Sequence, residues 1–472
     1  MIRILNTHVP ERKLLLVISE LCLVSLTFMA STVVRLGLGN GAFVLDHRGG
    51  ILTILLSSSA FVICMYYFDL YNSAVLSNWR EVLVRLLQVL GAAYIVLGVV
   101  SYLYRPLKIG TGTFEIGILS VAILLMLWRK LFSMINSSAD LAEQVLIFGD
   151  GTLAESLMYE IERRPELGIR VASQAHTARI ERYDADDERV ELLTMLSSIE
   201  TRREVSKSRE IIGIDRIVVA MDERRGKLPV ELLLSLKNRG VRVQEGNDVY
   251  EAITGKVPIE SIRLGWLLFS PGYFASRLFL AYKRAASVAI SVVGLLLTLP
   301  LLPFAVLIIK LTSPGPVLYR QKRVGRGGVV FHCYKFRTMR ADAEADTGPT
   351  WARDDDERIT RVGKFLRQTR IDEIPQLWNV LKGDMSLVGP RPERPEFVKG
   401  LSRDIPYYYL RHSIRPGITG WAQIRYRYGN SVDDAKEKLR YDLYYIKNMS
   451  MGLDALIFFN TIKIILLKRG AK

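Results

Sequence analysis

Four apolar stretches follow one another in the first third of the chain, each about as long as a membrane-crossing helix. They cover residues 14–34, 51–70, 82–103 and 114–134. A bilayer core is crossed by roughly 20 residues of α-helix, and a helix satisfies its own backbone hydrogen bonds there. The pattern therefore predicts a four-helix transmembrane domain over residues 1–138. The alternative is a soluble bundle whose four helices bury one another.

Basic residues near these stretches favour a topology in which both ends of this domain are cytoplasmic. Cytoplasmic loops accumulate Lys and Arg. Basic residues precede the first stretch and close the fourth, and two more occupy the loop on the opposite side: Arg3, Arg12, Lys13, Arg129, Lys130, Arg105 and Lys108. The asymmetry is weak, so it supports the orientation only in part.

From about residue 140 onward, short apolar segments alternate with amphipathic helical ones. Candidate strands cover residues 145–148, 217–220 and 241–243, and candidate helices lie around residues 157 and 232–236. This alternation predicts a small Rossmann-like α/β domain with a parallel sheet over residues 139–270.

A glycine-containing turn follows the first of these strands. Gly149, Gly151 and Ala154 match the pattern G-x-G-x-x-G/A, which is typical of a nucleotide-phosphate cradle at a helix N-terminus. The acidic residue expected about 20 positions later is not evident in the sequence RVASQAHTAR. A tight turn in a structural or regulatory domain is therefore the alternative to a bound nucleotide.

A fifth apolar segment, residues 282–311, differs from the others because Pro300 and Pro303 interrupt its second half. Proline removes a backbone donor and kinks a helix. Basic residues flank the segment on both sides, which favours two cytoplasmic ends. The pattern predicts a re-entrant membrane helix that bends at the prolines and returns, rather than a fifth span.

A basic strip without any acidic residue follows, with the sequence YRQKRVGRGGVVFHCYKFRTMR. Its glycines predict a turn, and the segment after the turn alternates like a strand that directs Lys335 and Arg337 at one point. Two interpretations are open: a site for a phosphate-bearing ligand, or a surface held to anionic lipid headgroups.

Asp372 and Glu373 form an acid pair inside a helical apolar pattern. Ile371, Ile374 and Leu377 recur at helical spacing, which places the pair at a helix N-terminus. Acidic residues there complement the helix dipole, and this alone is a structural explanation. Arginines on both sides favour a chemical one, namely Arg367, Arg370, Arg391 and Arg394. Two carboxylates among guanidinium groups predict a phosphoryl-transfer site, where one acid attacks phosphorus and another holds Mg²⁺.

The C-terminal part of the chain resembles the bacterial sugar transferases, or monotopic phosphoglycosyl transferases. The resemblance covers about residue 276 to the C-terminus and rests on the basic strip and on RVGKFLRQTRIDEIPQLWNVLKGDMSLVGPRPERPEF, RHSIRPGITGWAQIRYRYG and YDLYYIKNMS. It implies a catalytic domain over residues 276–472. The preceding domains are similar to the long members that start exopolysaccharide, capsule or O-antigen synthesis, and RILNTHVPERKLLL resembles the exosortase-associated type more loosely.

This resemblance implies transfer of a hexose 1-phosphate from a UDP-sugar to undecaprenyl phosphate at the cytoplasmic face of the bacterial inner membrane. Asp372 would attack the β-phosphorus and release UMP, and the lipid phosphate would then take the sugar phosphate from the aspartate. Glu373 would bind Mg²⁺. Substrate contacts would come from residues in the family's motifs, namely Lys335, Arg367, Arg391 and Arg415. A homodimer is also implied, whereas the identity of the hexose is not.

Composition and motif spacing argue against several other classes of protein. The net charge of +16 suits anionic lipids and phosphate-rich substrates, and no zinc spacing or Arg/aromatic interleaving indicates a nucleic acid partner. Three cysteines exclude a disulfide framework. Two rivals are a non-catalytic scaffold for polysaccharide export and a membrane-tethered nucleotide-sugar oxidoreductase. The latter needs a Tyr-x-x-x-Lys pair, which occurs only at Tyr104 and Lys108, between membrane stretches.

Overall fold

The computed structural model describes residues 2–4, 6–46, 50–76, 78–103, 111–136, 142–149, 151–171, 214–221, 228, 230–262, 276–340, 343, 356–426, 429 and 431–467. A short pair of strands, β1 (Ile2–Ile4) and β2 (Thr7–Val9), opens the chain. The chain forms two compact units. The first is Met1–Ile2 with Val9–Gly246, and the second is Arg3–His8 with Asn247–Lys472.

Long apolar helices begin the first unit. The helices are α1 (Glu11–Leu36), α2 (Leu38–Asp46), α3 (Gly50–Tyr67), α4 (Ser73–Leu76), α5 (Trp79–Leu103) and α6 (Thr111–Asn136). The predicted stretches lie in α1, α3, α5 and α6, and each of these helices is long and apolar enough to cross a membrane. This confirms the prediction of a membrane protein with several apolar helices. The number of helices that cross the bilayer stays a prediction.

A buried ion pair joins α1 to α6. Arg129 Nε and Nη2 donate to the Glu20 carboxylate at 2.7 and 3.0 Å, and Arg129 Nη1 donates to the Leu70 carbonyl at 3.0 Å. Both charged side chains are buried. Arg129 is therefore an internal partner of Glu20 and not a loop charge, so it does not support the orientation inferred from basic residues.

A four-stranded parallel sheet follows in the same unit. Its strands are β3 (Glu143–Phe148), β4 (Ile169–Val171), β5 (Arg216–Val219) and β6 (Arg242–Glu245), in the order β4-β3-β5-β6. The helices are α7 (Thr152–Glu162) and α8 (Val230–Asn238), with a 3-10 turn at Pro165–Leu167. Every residue of β5 is buried, as expected for a strand covered on both faces. The predicted parallel sheet is present, and most of RVASQAHTAR lies outside the described residues.

The second unit contains the acid pair. Its helices are α9 (Gly246–Thr254), α10 (Arg277–Thr298), α11 (Leu302–Thr312), α12 (Arg361–Gln368), α13 (Gln376–Lys382), α14 (Pro395–Asp404), α15 (Trp421–Arg425), α16 (Val432–Lys447) and α17 (Met451–Leu466). Strands β7 (Leu318–Val324) and β8 (Val330–Phe336) form an antiparallel hairpin, and β9 (Ser386–Val388) and β10 (Gly417–Thr419) pair in parallel. Short 3-10 turns occur at Ile259–Ser261, Leu299–Leu301, Arg326–Gly328, Ile371–Glu373 and Tyr408–His412.

The core of this unit includes a segment that the sequence pattern places in the α/β domain. Val257, Ile259 and Ile262 are buried in one cluster with Trp421 and Tyr444. The indole Nε1 of Trp421 donates to the Gly255 carbonyl at 2.9 Å. Residues 247–262 thus pack within the second unit, although the expected α/β domain extends to residue 270. Tyr408 and Tyr445 are also buried in this core.

The proline-containing apolar segment keeps helical backbone through both of its prolines. A 3-10 turn, Leu299–Leu301, joins α10 to α11, and its residues keep helical dihedral angles. Pro300 and Pro303 both lie near the start of a helical turn, where a missing N–H is tolerated. Both halves pack on other elements of the second unit: Arg284 Nη2 donates to the Leu381 carbonyl at 2.8 Å, while Ile309 joins a cluster with Phe336.

Candidate active site

The acid pair lies in the 3-10 turn Ile371–Glu373, between α12 and α13. The pair is expected at a helix N-terminus, and it lies just before one, because α13 begins at Gln376. Arg370 has a left-handed φ of 59°, and this reverses the chain after α12 and begins the turn. Hydrophobic spacing does not reveal such a residue. It does identify the buried side of the turn, since Ile371 and Ile374 pack against a cluster that contains Leu366.

Glu373 is surrounded by cations. Its side-chain Oε1 accepts from Lys335 Nζ at 2.9 Å and from Arg391 Nη2 at 2.7 Å, and Arg370 Nη1 lies 3.7 Å away. Glu373 is 8% exposed, and burial alone would raise its pKa. The charges of Arg391, Lys335 and Arg370 outweigh burial and hold the pKa of Glu373 well below its usual value. Glu373 is therefore an ionised carboxylate throughout the neutral range.

Asp372 has the opposite environment. It is 6% exposed, and its Oδ1 is buried with no hydrogen-bond partner among the described residues. Burial raises the pKa of Asp372, the neighbouring Glu373 charge raises it further, and Lys335, Arg367 and Arg370 oppose the rise. The amide Nε2 of Gln376 is also buried without a partner in the described part of the chain. Unsatisfied buried polar groups are costly, so both atoms are candidates to meet a ligand.

Strand β8 brings Lys335 to the acid pair, and Asn379 on α13 holds that strand in place. Asn379 Oδ1 accepts from the backbone N–H of Tyr334 at 3.0 Å, and its Nδ2 donates to the His332 carbonyl at 2.7 Å. Asn379 is fully buried (0% exposed). The sequence pattern does not indicate this role for Asn379. A single amide side chain three residues after Gln376 is not a distinguishing pattern in a sequence.

Of the four arginines predicted to bind phosphate, two lie at the acid pair and two lie elsewhere. Arg391 contacts Glu373, and the charge of Arg367 acts on Asp372 while its Nε donates to Thr338 Oγ1 at 3.0 Å. Arg337 donates instead to the Ser313 carbonyl at 2.6 Å, at the end of α11. Arg415 is exposed; burial of part of its side chain and the charges of Arg284 and Arg326 lower its pKa. The structure thus brings Lys335, Arg367 and Arg391 to the pair.

The residues at the pair are compatible with Mg²⁺. This cation prefers oxygen ligands and is commonly held by one or two carboxylates together with substrate phosphates. Asp372 provides an unpartnered carboxylate oxygen beside the ionised Glu373. In the described ranges, no group of three metal-ligating side chains occurs, so protein alone does not form a complete cage there. The donor set suits an ion that binds with its substrate.

The glycine turn of the first unit has a steric explanation. Gly149 has a φ of 140°, and a Cβ at this position would lie 2.5 Å from the backbone carbonyl group of Ala220. Gly151 precedes α7 and Ala154 is buried within it. Close packing of neighbouring strand ends therefore requires Gly149 whether or not a nucleotide binds. Tyr104 and Lys108, the pair needed by the oxidoreductase hypothesis, lie outside the described residues.

Comparison with known proteins places this site in a family. Residues 278–468 match the model of the family described as bacterial sugar transferase. The UDP-glucose:undecaprenyl-phosphate glucose-1-phosphate transferase of Xanthomonas campestris pv. campestris is 30% identical over 446 residues, which cover 89% of this chain and 87% of that protein.

Two further relatives each match less than half of this chain. The UDP-N-acetylgalactosamine-undecaprenyl-phosphate N-acetylgalactosaminephosphotransferase of Aeromonas hydrophila is 47% identical over 227 residues, or 48% of this chain and 52% of that protein. The chain thus spans about half the length of this relative. An exopolysaccharide production protein of Rhizobium leguminosarum bv. phaseoli is 44% identical over 188 residues, or 39% of this chain and 94% of that protein.

The match to the Xanthomonas protein extends over nearly the whole of both chains, so it includes the apolar helices as well as the acid-pair domain. It confirms the resemblance inferred from the sequence motifs and the expectation of a transferase. The chain belongs to the bacterial sugar transferase family.

Proposed function

We propose that this protein transfers a hexose 1-phosphate from a UDP-sugar to undecaprenyl phosphate, releasing UMP and starting the synthesis of an exopolysaccharide, capsule or O-antigen. The observation that carries the proposal is the buried pair Asp372–Glu373 beside Lys335, Arg367 and Arg391. Fixed cations around two carboxylates suit a diphosphate substrate. The relatives support the substrate class, since their names specify UDP-sugars and undecaprenyl phosphate.

In the first step, a carboxylate oxygen of Asp372 attacks the β-phosphorus of the UDP-sugar. The new bond joins this oxygen to phosphorus, the bond from phosphorus to the bridging oxygen breaks, and UMP leaves with that oxygen. The unpartnered Oδ1 of Asp372 supports this role, because no protein hydrogen bond has to break before it reacts. Lys335 and Arg391 are placed to bind phosphate oxygens as charge moves to the leaving group.

In the second step, a phosphate oxygen of undecaprenyl phosphate attacks the same phosphorus. The bond to Asp372 breaks, the free carboxylate is restored, and the product is a lipid diphosphosugar. Glu373, with substrate phosphate oxygens, would hold Mg²⁺, which supplies positive charge to the diphosphate. Arg370 and Arg391 keep Glu373 ionised, so it is ready to bind a cation at neutral pH.

The membrane segment supports a site at the cytoplasmic surface of the inner membrane. A nucleotide sugar stays in water and a polyprenyl phosphate stays in the bilayer, so their reaction requires an interfacial site. Both α10 and α11 lie against the unit that carries Asp372. This arrangement favours the re-entrant topology over a straight crossing, because a crossing would separate the two ends by the full bilayer thickness.

UMP release tests the proposal. The full chain in nanodiscs is given undecaprenyl phosphate, Mg²⁺ and a panel of UDP-sugars, in parallel with Asp372→Asn. Release of UMP with one sugar, lost in Asp372→Asn, would support phosphosugar transfer and name the hexose. Release of UDP would indicate ordinary glycosyl transfer instead. Unchanged turnover in Asp372→Asn, or no turnover across the panel, would favour the export scaffold.

A further inference from the structure

Arg337 is a buried guanidinium with more donors than the protein uses. It is 7% exposed and lies just after β8. Its Nη2 donates to the Ser313 carbonyl, which closes the C-terminal end of α11. Its Nε and Nη1 are buried and have no hydrogen-bond partner within the described ranges, where no carboxylate forms an ion pair with Arg337 either. A buried cation without a counter-charge is costly, so an external anion is the expected partner.

The unused donors line a small cleft, called here the Arg337 cleft. Its lining residues are Ile309, Thr312, Ser313, Arg337, Met339, Thr360 and Val362. The Ser313 hydroxyl is also buried without a partner in the part of the chain that is described. Thr360 caps the N-terminus of α12, so the positive end of that helix dipole also faces this region. Two guanidinium donors and a hydroxyl match the oxygens of a phosphate group.

The position of the cleft suits a phosphate that is attached to a lipid. The cleft adjoins the C-terminal end of α11, a helix whose Phe304, Leu307 and Leu311 are exposed apolar side chains. Such a surface suits hydrocarbon chains, and its end marks the level of the headgroups. A water-soluble nucleotide has no hydrocarbon chain to contact this neighbouring apolar face.

The cleft is also next to the acid pair without being part of it. Thr338, the residue after Arg337, accepts a hydrogen bond from Arg367 at 3.0 Å, and the charge of Arg367 acts on Asp372. The donors around Glu373 are Lys335 and Arg391, and Arg337 is not among them. Arg367 therefore connects the residue after Arg337 to the acid pair, and the two sets of phosphate donors share no residue.

We propose that the Arg337 cleft binds the phosphate of the polyprenyl phosphate acceptor, while Lys335 and Arg391 serve the diphosphate of the donor. This proposal rests on the proposed transferase function and divides its two substrates between two sets of cations. Arg337 positions the acceptor beside Asp372, where the sugar phosphate awaits transfer. The bare alternative is that Arg337 only caps α11, which explains Nη2 but leaves Nε, Nη1 and the Ser313 hydroxyl without a function.

The two half-reactions separate these roles. The full chain in phosphatidylcholine nanodiscs is assayed for the single-turnover burst of UMP without acceptor, and then for steady turnover against undecaprenyl phosphate concentration. Arg337→Gln should keep the burst within about twofold and raise the KM for undecaprenyl phosphate about 10–100-fold, as expected for a lost charge-assisted bond. Arg403→Gln, an exposed arginine on α14, is the matched control and should change neither quantity. Equal loss of burst and turnover in Arg337→Gln would overturn the proposal.

A second variant, Ser313→Ala, keeps the test valid if Arg337→Gln misfolds. Ser313→Ala keeps the backbone carbonyl that Arg337 caps and removes only the unpartnered hydroxyl. It should raise the same KM several-fold with no change in melting temperature, and an unchanged KM in both Ser313→Ala and Arg337→Gln would refute acceptor binding. Replacing part of the phosphatidylcholine by phosphatidylglycerol tests a general headgroup site, and added inorganic phosphate tests a free-anion site. If phosphatidylglycerol or inorganic phosphate changes the turnover of the wild type but not of Arg337→Gln, and neither changes the KM for undecaprenyl phosphate, the cleft binds that anion and not the acceptor.

The proposal remains testable if the transferase function fails. Binding of undecaprenyl phosphate to the wild type and to Arg337→Gln is measured directly by native mass spectrometry from nanodiscs. Arg337-dependent binding without UMP release from any donor would retain the cleft and reject the transfer reaction. UMP release with equal lipid binding by both proteins would retain the transfer reaction and reject the cleft.

Discussion

Asp372 and Glu373 are neighbours in the chain, yet they differ in which cations reach them. Lys335 and Arg391 both contact Glu373 Oε1, whereas Asp372 Oδ1 is buried without a partner among the described residues. Carboxyl pairs whose surroundings push their pKa values apart are typical of sites where the two acids have different roles. The sequence motifs identify the acids and the arginines. They do not say which acid receives the cations, since that depends on the direction of a 3-10 turn.

Asp372→Asn should separate stability from activity. Burial and the Glu373 charge raise the pKa of Asp372, so the folded state binds this proton more tightly than the unfolded chain does. The free energy of unfolding therefore decreases as pH rises through the window between these pKa values. Because Asn is neutral, the variant should melt about 2–4 °C higher at pH 8 while UMP release falls at least about 10³-fold. Thermal unfolding and the burst assay together check this; a lower melting temperature would contradict the assigned environment.

The raised pKa of Asp372 also predicts an acid limit to activity. Attack on phosphorus requires the carboxylate, so the rate of the UMP burst should fall about tenfold per pH unit below this pKa. The Arg367 charge lowers the pKa of Asp372, and Arg367→Gln should therefore shift the acid limb to higher pH. Arg403→Gln should leave the limb in place. A pH–rate profile from pH 4.5 to 8.5 measures the shift, and an unmoved limb in Arg367→Gln would show that another group titrates.

At the scale of elements, the site depends on a strand and a helix held together by one side chain. Asn379 on α13 bonds both His332 and Tyr334 on β8, and this sets the position of Lys335 relative to Glu373. Asn379→Ala would leave the Tyr334 N–H and the His332 carbonyl without this partner, at a cost of about 1–3 kcal/mol in total. We expect a melting temperature several degrees lower and a reduced kcat at 25 °C.

Asn379→Asp tests whether this effect is positional. Aspartate keeps the acceptor for the Tyr334 N–H but loses the donor to His332 and faces Asp384. Its melting temperature should fall further than that of Asn238→Asp, which changes an exposed position on α8. An equal fall in the two variants would contradict the positioning role of Asn379.

Helices and strands could be predicted from the sequence where the spacing of apolar residues determines the type of element. The long apolar helices and the parallel sheet follow from the period and length of hydrophobic runs. The left-handed Arg370 ended α12 and displaced the acid pair from α13, and no side-chain pattern indicates it. Pro300 and Pro303 predicted an interruption, and the chain accommodates both within a 3-10 turn and the start of α11. Periodicity reports which face is buried, while caps and turns depend on single residues.

At the scale of the whole molecule, the sequence shows which segments are apolar enough for a membrane and which suit water. It does not show which distant segments pack together within a unit. Residues 247–262 resemble the end of an α/β domain by composition, yet their apolar side chains complete the core around Trp421. Lys256 forms an ion pair with Glu437, and Arg440 Nη2 donates to Glu260 Oε1 at 2.6 Å. Such long-range pairing leaves no local pattern, because each partner is an ordinary surface residue in its own segment.

This packing predicts where the second unit can be shortened. Val257, Ile259 and Ile262 are each at most 8% exposed, and burying such a side chain stabilises a fold by about 1.5–3 kcal/mol. A chain that starts at Ser276 loses all three, together with the Gly255 carbonyl that pairs with Trp421. A chain that starts at Asn247 keeps them, and both shortened chains lack residues 3–8 equally. We expect the longer chain to melt at least about 5 °C higher in nanodiscs and to retain more of the UMP burst. Equal melting temperatures would mean that residues 247–262 only rest on the second unit, and that its core is complete from Ser276 onward.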